Sequence, residues 1–210
     1  MPGHRIADMQ LRGNTSPLRV RVYWPGQQVR RPVPLLVFCI VGAGAEAWCL
    51  SLSENAGVLV LAVCSDPAGV RSATGALEWA AEHAAELRAD PGRLLVAGEA
   101  AGGAVAAAVA REARAQGWPT VTRQVLISAA PITGPTVPGV APATVVTIQH
   151  HPGGDEGRYA ARLRRAGVAV DELRYATPDR TAAERLLASG QIHADLTAAL
   201  RRSSCSPSVT

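Results

Sequence analysis

Six short apolar runs, five of them nearly unbroken, punctuate this chain, and the stretches between them carry apolar residues at helical spacing. The runs cover residues 34–40, 58–63, 94–97, 125–128, 143–148 and 168–175. Strands that are apolar on both faces need cover on both faces, which a parallel sheet obtains by routing each crossover through a helix. Residues 46–53, 70–87, 101–115, 155–166, 180–188 and 192–202 supply those helices. Ahead of them, residues 5–11 and 18–24 alternate polar with apolar around Gly13-Asn14, the pattern of an antiparallel hairpin at one edge of the sheet. The expectation is one doubly wound α/β domain over residues 1–202, with a mainly parallel sheet of about eight strands. A serine-rich segment, 203–210, reads as a flexible tail.

With 210 residues, 48% of them hydrophobic, the chain can bury one core of that kind. Its 21 basic residues are all arginine and are scattered among 17 acids. Nucleic-acid binding calls for a basic stripe interleaved with aromatic platforms, so the reading is no nucleic-acid partner. No apolar stretch approaches the roughly 18 residues of a membrane helix, and the first residues lack the apolar centre of a signal peptide, so a cytoplasmic protein without a membrane partner is expected. Cys39, Cys49, Cys64 and Cys205 form no C-x-x-C pair. Cys39 and Cys64 fall in apolar runs and read as small buried hydrophobes. His4 and His83 read as surface residues.

Ligands of open α/β sheets bind at the carboxyl ends of the strands, which singles out three loops. The first is Val41-Gly42-Ala43-Gly44-Ala45, the second Gly98-Glu99-Ala100-Ala101-Gly102-Gly103, the third His150-His151-Pro152. The second links an apolar strand to a helix rich in small residues, the setting of a hydrolase's nucleophile elbow. Alanine stands where the serine belongs.

The elbow is accompanied by Val20-Arg21-Val22-Tyr23-Trp24-Pro25, Asp90-Pro91-Gly92-Arg93, Asp155-Glu156-Gly157, Tyr159-Ala160-Ala161-Arg162-Leu163 and Arg174-Tyr175, in that order along the chain. Taken together these segments resemble the hormone-sensitive-lipase-like esterases, the fold-3 group of the α/β-hydrolases. The resemblance implies an α/β-hydrolase fold. It also implies where a Ser-acid-His triad would sit: Ala100 replaces the serine, His151 the acid and Arg180 the histidine, so the resemblance is to a triad-less pseudo-hydrolase. The family's His-Gly-Gly-Gly oxyanion loop becomes Val41-Gly42-Ala43-Gly44. Where the family inserts cap helices after its sixth strand, this chain has a brief 131–142 loop, and the N-terminal cap segment is missing, so the cap is expected to be reduced or absent. Realigning Gly190-Gln191-Ile192-His193 as the histidine segment would leave too little chain for the closing helix.

Glu99 and His151 are the acid-base candidates, because a cleft can shift either group toward neutral pH. Ligand contacts are expected from Val41, Gly42, Ala43, Gly44, Ala101, His150 and Asp66, with the backbone amides of Gly42, Ala43 and Ala101 polarising a carbonyl. Each has a plainer reading. Glu99 can hold the turn through backbone hydrogen bonds, and adjacent His150 and His151 point to opposite sides of a strand. Arg180 can pair with Asp179 or Glu184. His150, His151, Asp155 and Glu156 are metal-ligating types at a spacing that fits no known motif, so no metal and no cofactor is expected. Gly42-Ala43-Gly44-Ala45-Glu46-Ala47 followed by Asp66 mimics a dinucleotide fingerprint, since both loops aim amides at an anion. The expected ligand is a small organic molecule, handled by cyclase, isomerase or lyase chemistry or simply bound. The alternative is a non-catalytic protein partner at the uncapped carboxyl edge, and residual ester hydrolysis and dinucleotide binding are the less favoured readings.

Overall fold

The computed structural model describes residues 5–12, 17–26, 32–42, 44–64, 69–135, 138–149 and 157–205. The hairpin is there: β1 (Arg5–Arg12) runs antiparallel to β2 (Pro17–Trp24), with Arg5 opposite Trp24 and Arg12 opposite Pro17. Its Gly13-Asn14 turn lies outside the described residues. Six further strands follow, β3 (Val33–Ile40), β4 (Leu59–Cys64), β5 (Ala89–Glu99), β6 (Val121–Ile127), β7 (Ala143–Gln149) and β8 (Val170–Ala176). They form one sheet in the order β1-β2-β4-β3-β5-β6-β7-β8, parallel from β4 through β8.

The helices are α1 (Glu46–Ser51), which runs into a π-helical turn over Leu52–Ala56, α2 (Val70–His83), α3 (Ala101–Gln116), α4 (Arg158–Arg165), α5 (Arg180–Ala188) and α6 (Gly190–Cys205). Two strands are longer than their apolar runs. β5 begins at Ala89, five residues before Leu94, and the sheet register slips there. Asp90 accepts the Gly92 amide in this stretch. β6 includes Thr122 and Arg123, whose side chains reach Leu94, Thr144 and Asp171, so hydrophobicity alone misses its start. α2 stops at His83, before the left-handed Arg88 at φ +62°. α6 runs through Cys205, three residues into the segment read as a tail.

Side chains alternate between two cores, one on each face of the sheet. Val37, Cys39, Val96 and Leu126 pack under α2, α3 and α4, whereas Phe38, Ala97, Ile127 and Ile148 pack under α1 and α6. Residues 128–142 carry the chain from β6 to β7, and among the described residues this crossover contains no helix. Strand order reverses at β3, whose crossovers lead to β4 on one side and, from there, to β5 on the other. In open sheets of this kind ligands bind at such a switch point, here the carboxyl ends of β3 and β5. The Gly42 loop and the elbow both lie there. No described helix is long and apolar enough to cross a membrane.

Candidate functional site

The elbow is fixed by close backbone contact. A β-carbon on Gly98 would sit 2.2 Å from the Gly102 carbonyl oxygen, one on Gly102 would sit 2.2 Å from the Cys39 carbonyl oxygen, and one on Gly103 would sit 2.7 Å from the Ala129 methyl. Glycine at these three places lets α3 start directly against β3 and the β6–β7 crossover. Between them, Ala100 adopts φ +48° and ψ −119°, a backbone conformation that L-residues rarely occupy. Its N–H donates to the Ile127 carbonyl at 3.0 Å, and its own carbonyl accepts from Ala130 N–H at 2.9 Å and Gly103 N–H at 3.1 Å. The exposed side chain at the apex is a methyl group. Backbone strain held by surrounding structure is typical of functional turns.

Ala101 opens α3, so its N–H is one of the amides a helix leaves without an internal partner, at the positive end of the helix dipole. Gly42 and Gly44 are exposed, with φ +90° and +106°, and help to wall a groove of about 660 Å³ against the β1–β2 hairpin. Ala43 lies outside the described residues. Val41 is half-buried and packs against the core under α2 and α3.

Glu99 points to the opposite face of the sheet from that core. Burial raises its carboxyl above the usual range, and the Trp48 indole N–H, donating to it, lowers it in part. Trp48 is 3% exposed and stacks on His193, with ring centroids 3.8 Å apart and planes 4° from parallel. Burial depresses the His193 imidazole, partly offset by its hydrogen bond to the Leu187 backbone. A half-buried acid beside the elbow therefore rests on an aromatic pair from α1 and α6. Reading Glu99 as a turn-holding residue missed that partner. The signal was Trp48 itself, an aromatic on the buried face of a short helix.

Arg180 is solvated, as the plainer reading held. It lies at the start of α5, its side chain 85% exposed, and its Nε meets Glu184 Oε1 at 2.9 Å, while Asp179 caps the helix through the Ala182 N–H. His150, His151 and Asp66 lie outside the described residues, as do Asp155 and Glu156. Among the described residues no three His, Cys, Asp or Glu side chains converge as metal ligands would. His83 is half-buried rather than on the open surface: it stacks on Trp79 at 4.4 Å and its Nδ1 meets the Trp79 carbonyl. Cys64 is exposed at the end of β4, against the expectation of burial, because the apolar run ends one residue before it.

A family profile described as alpha/beta hydrolase fold matches residues 38–136, which span the Gly42 loop and the elbow. Esterase LipI of Mycobacterium tuberculosis is 32% identical over 143 residues, covering 60% of this chain and 44% of that protein. Carboxylesterase NlhH of the same organism is 35% identical over 125 residues, covering 51% of this chain and 38% of that protein. The chain thus spans less than half the length of either. Among solved structures, a hyperthermophilic esterase from the archaeon Pyrobaculum calidifontis superposes with a TM-score of 0.82 at 23% identity, over 98% of this chain and 88% of that one. Esterase LipW from Mycobacterium marinum gives 0.79 at 22%, over 98% and 83%. At these identities the structural likeness establishes the fold.

Proposed function

Given that the chain belongs to the α/β-hydrolase-fold family, in its hormone-sensitive-lipase-like esterase branch, we propose that its cleft handles a small carbonyl-bearing organic molecule without transferring an acyl group to serine. One observation carries this reading: the residue in the elbow's strained conformation is Ala100, which has no hydroxyl. Acyl transfer through serine needs that hydroxyl, an imidazole to take its proton and a carboxylate to orient the imidazole. Arg180, aligned with the imidazole, is an exposed cation paired to Glu184.

What the cleft retains is polarising power. A carbonyl placed over the start of α3 would face the Ala101 amide, with the Gly42 loop opposite, and developing negative charge on its oxygen would be stabilised there. Glu99, its carboxyl raised by burial, is suited to hold or deliver a proton nearer neutral pH than a solvated glutamate can. Proton transfer next to a polarised carbonyl is the chemistry of enolisation, elimination and cyclisation. His151 remains a second acid-base candidate on the grounds of its sequence position.

A second reading is ester hydrolysis, favoured by the esterase names of the relatives. On this chain it would use water as the nucleophile with Glu99 taking its proton, since residue 100 offers no oxygen. The deciding experiment incubates the protein with activated acyl esters and with a fluorophosphonate probe, and compares Glu99→Gln with the parent. No covalent label, with any turnover lost in Glu99→Gln, supports a serine-independent cleft. A stoichiometric label at a serine would overturn it.

A further inference from the structure

We propose that the cavity beneath the β6–β7 crossover binds a small, mainly apolar molecule carrying one hydrogen-bonding oxygen, an alcohol or a carbonyl, which the Ser128 hydroxyl orients. The cavity follows from how the chain travels between strands. It passes from β3 to β4, β4 to β5, β5 to β6 and β7 to β8 through α1, α2, α3 and α4. From β6 to β7 it runs instead over residues 128–142, where Pro131, Pro135, Pro138 and Pro142 oppose a helix. Non-helical chain covers the sheet there less fully, and about 520 Å³ stays open beside Leu126 and Val145. Packing voids are rarely larger than a water molecule, whereas this volume falls in the range of sites that enclose a small ligand.

Leu126, Ile132 and Val145 make the apolar wall, and Ser128 and Thr147 lie among them. Leu126 and Val145 belong to the core under α3 and α4. Glu99 faces the α1 and α6 side, so the cavity is separate from the acid-base cluster. Ser128 has φ +42°, in the region that glycine favours and serine rarely adopts. Its N–H donates to the Val146 carbonyl at 2.8 Å, and two residues on the Ala130 N–H donates to the Ala100 carbonyl at 2.9 Å, so main-chain bonds fix the turn on both sides. Glycine would make the same bonds with less strain. What serine adds is a hydroxyl at the wall of a ligand-sized cavity, and strain held in place by its surroundings is characteristic of ligand clamps.

The other polar wall residues have partners or face solvent. Arg162 donates through its two Nη atoms to the Ile132 and Gly134 carbonyls, tying α4 to the crossover. Thr147 Oγ1 donates to Glu172 Oε1 at 3.4 Å, and Tyr159 Oη donates to Gln124 Oε1 at 3.5 Å. Thr133 and Arg158 are exposed. Ser128 is therefore the group placed to orient an oxygen, donating to a carbonyl or accepting from an alcohol, while the apolar wall takes the body of the molecule. Occupancy of this site does not require the elbow cleft to turn over a substrate.

The test is calorimetric titration and thermal unfolding of the full chain with 2-naphthalenemethanol, 2-methylnaphthalene and 2-naphthoate, three probes that share one apolar body. The expected result is saturable binding of the alcohol with a rise in Tm, about fivefold tighter than binding of the hydrocarbon. Ser128→Gly is expected to raise the Tm of the unliganded protein by relieving the turn, and to reduce the alcohol to the affinity of the hydrocarbon. Ile132→Trp, which adds bulk from a half-buried position in the crossover, is expected to abolish binding of both. A Ser128→Gly variant that keeps the full preference for the alcohol confines Ser128 to a role in the turn and overturns the proposal. So does the absence of saturable binding, tighter binding of the naphthoate than of the alcohol, or binding that Ile132→Trp leaves unchanged.

Discussion

His193 lies flat on Trp48, 3.8 Å between ring centroids, and the same indole N–H favours the ionised form of the Glu99 carboxyl. α6 is anchored independently through Tyr175 Oη, which donates to Asp195 at 2.6 Å, so the imidazole is held over the indole rather than free in a loop. Residues 99 and 193, far apart in sequence, thus share one aromatic neighbour.

Trp48→Phe keeps the stack and removes the indole N–H. Since that donor favours the ionised carboxylate, its loss is expected to move the Glu99 carboxyl further upward. Carbon-13 NMR titration of the Glu99 side chain checks this, and an unmoved or lowered titration midpoint would contradict the coupling.

Glu99→Gln is expected to change how stability depends on pH. The folded carboxyl titrates above its unfolded value, so its favourable contribution is complete below the unfolded range and is lost as pH rises through the folded value. The variant keeps no charge to bury. It should therefore gain on the parent in urea midpoint as pH rises from about 4 to 7, on the scale set by ordinary carboxylate titration, and not the reverse.

Ala100→Ser puts a hydroxyl on a backbone already bent for it. The described histidines are His83, stacked on Trp79, and His193, stacked on Trp48. Neither is presented as a free base, so the variant is expected to show no burst of acyl-enzyme and no fluorophosphonate labelling. Ready ester turnover would refute the account of the cleft given above.

Gly102→Ala drives a methyl group to within 2.2 Å of the Cys39 carbonyl oxygen and is expected to cost about 3 kcal/mol in chemical denaturation. Gly75 lies within α2 with nothing within 4 Å of an added β-carbon, so Gly75→Ala should add about 0.5–1 kcal/mol. Equal effects at the two positions would contradict the packing of the elbow.

Thiol reagents should discriminate among the cysteines. Burial pushes the Cys39 and Cys49 thiols up to about 12, whereas Cys64 is exposed. In a Cys205→Ser background the native protein is expected to react at one thiol, and Cys64→Ser should abolish that reaction.

The doubly wound sheet was legible because each buried strand is a continuous apolar run and each crossover carries helical spacing. The elbow was legible because Gly98, Gly102 and Gly103 occupy places where a β-carbon would meet backbone or the Ala129 methyl. Less visible was whatever depends on three-dimensional juxtaposition. Trp48 reaches Glu99 from another element, and Cys64 sits one residue past the buried part of its strand. Half-exposed strand starts such as Thr122 and Arg123 escape a hydrophobicity rule because their stabilising partners are polar.

The hydrogen bonds that bend the chain at residue 100 are made by main-chain atoms, to Ile127, Ala130, Gly103 and Ala104. The turn asks nothing of the side chain it displays. The bend at residue 100 is therefore a property of the main chain, and an exchange of one small side chain for another there leaves the shape of the elbow in place.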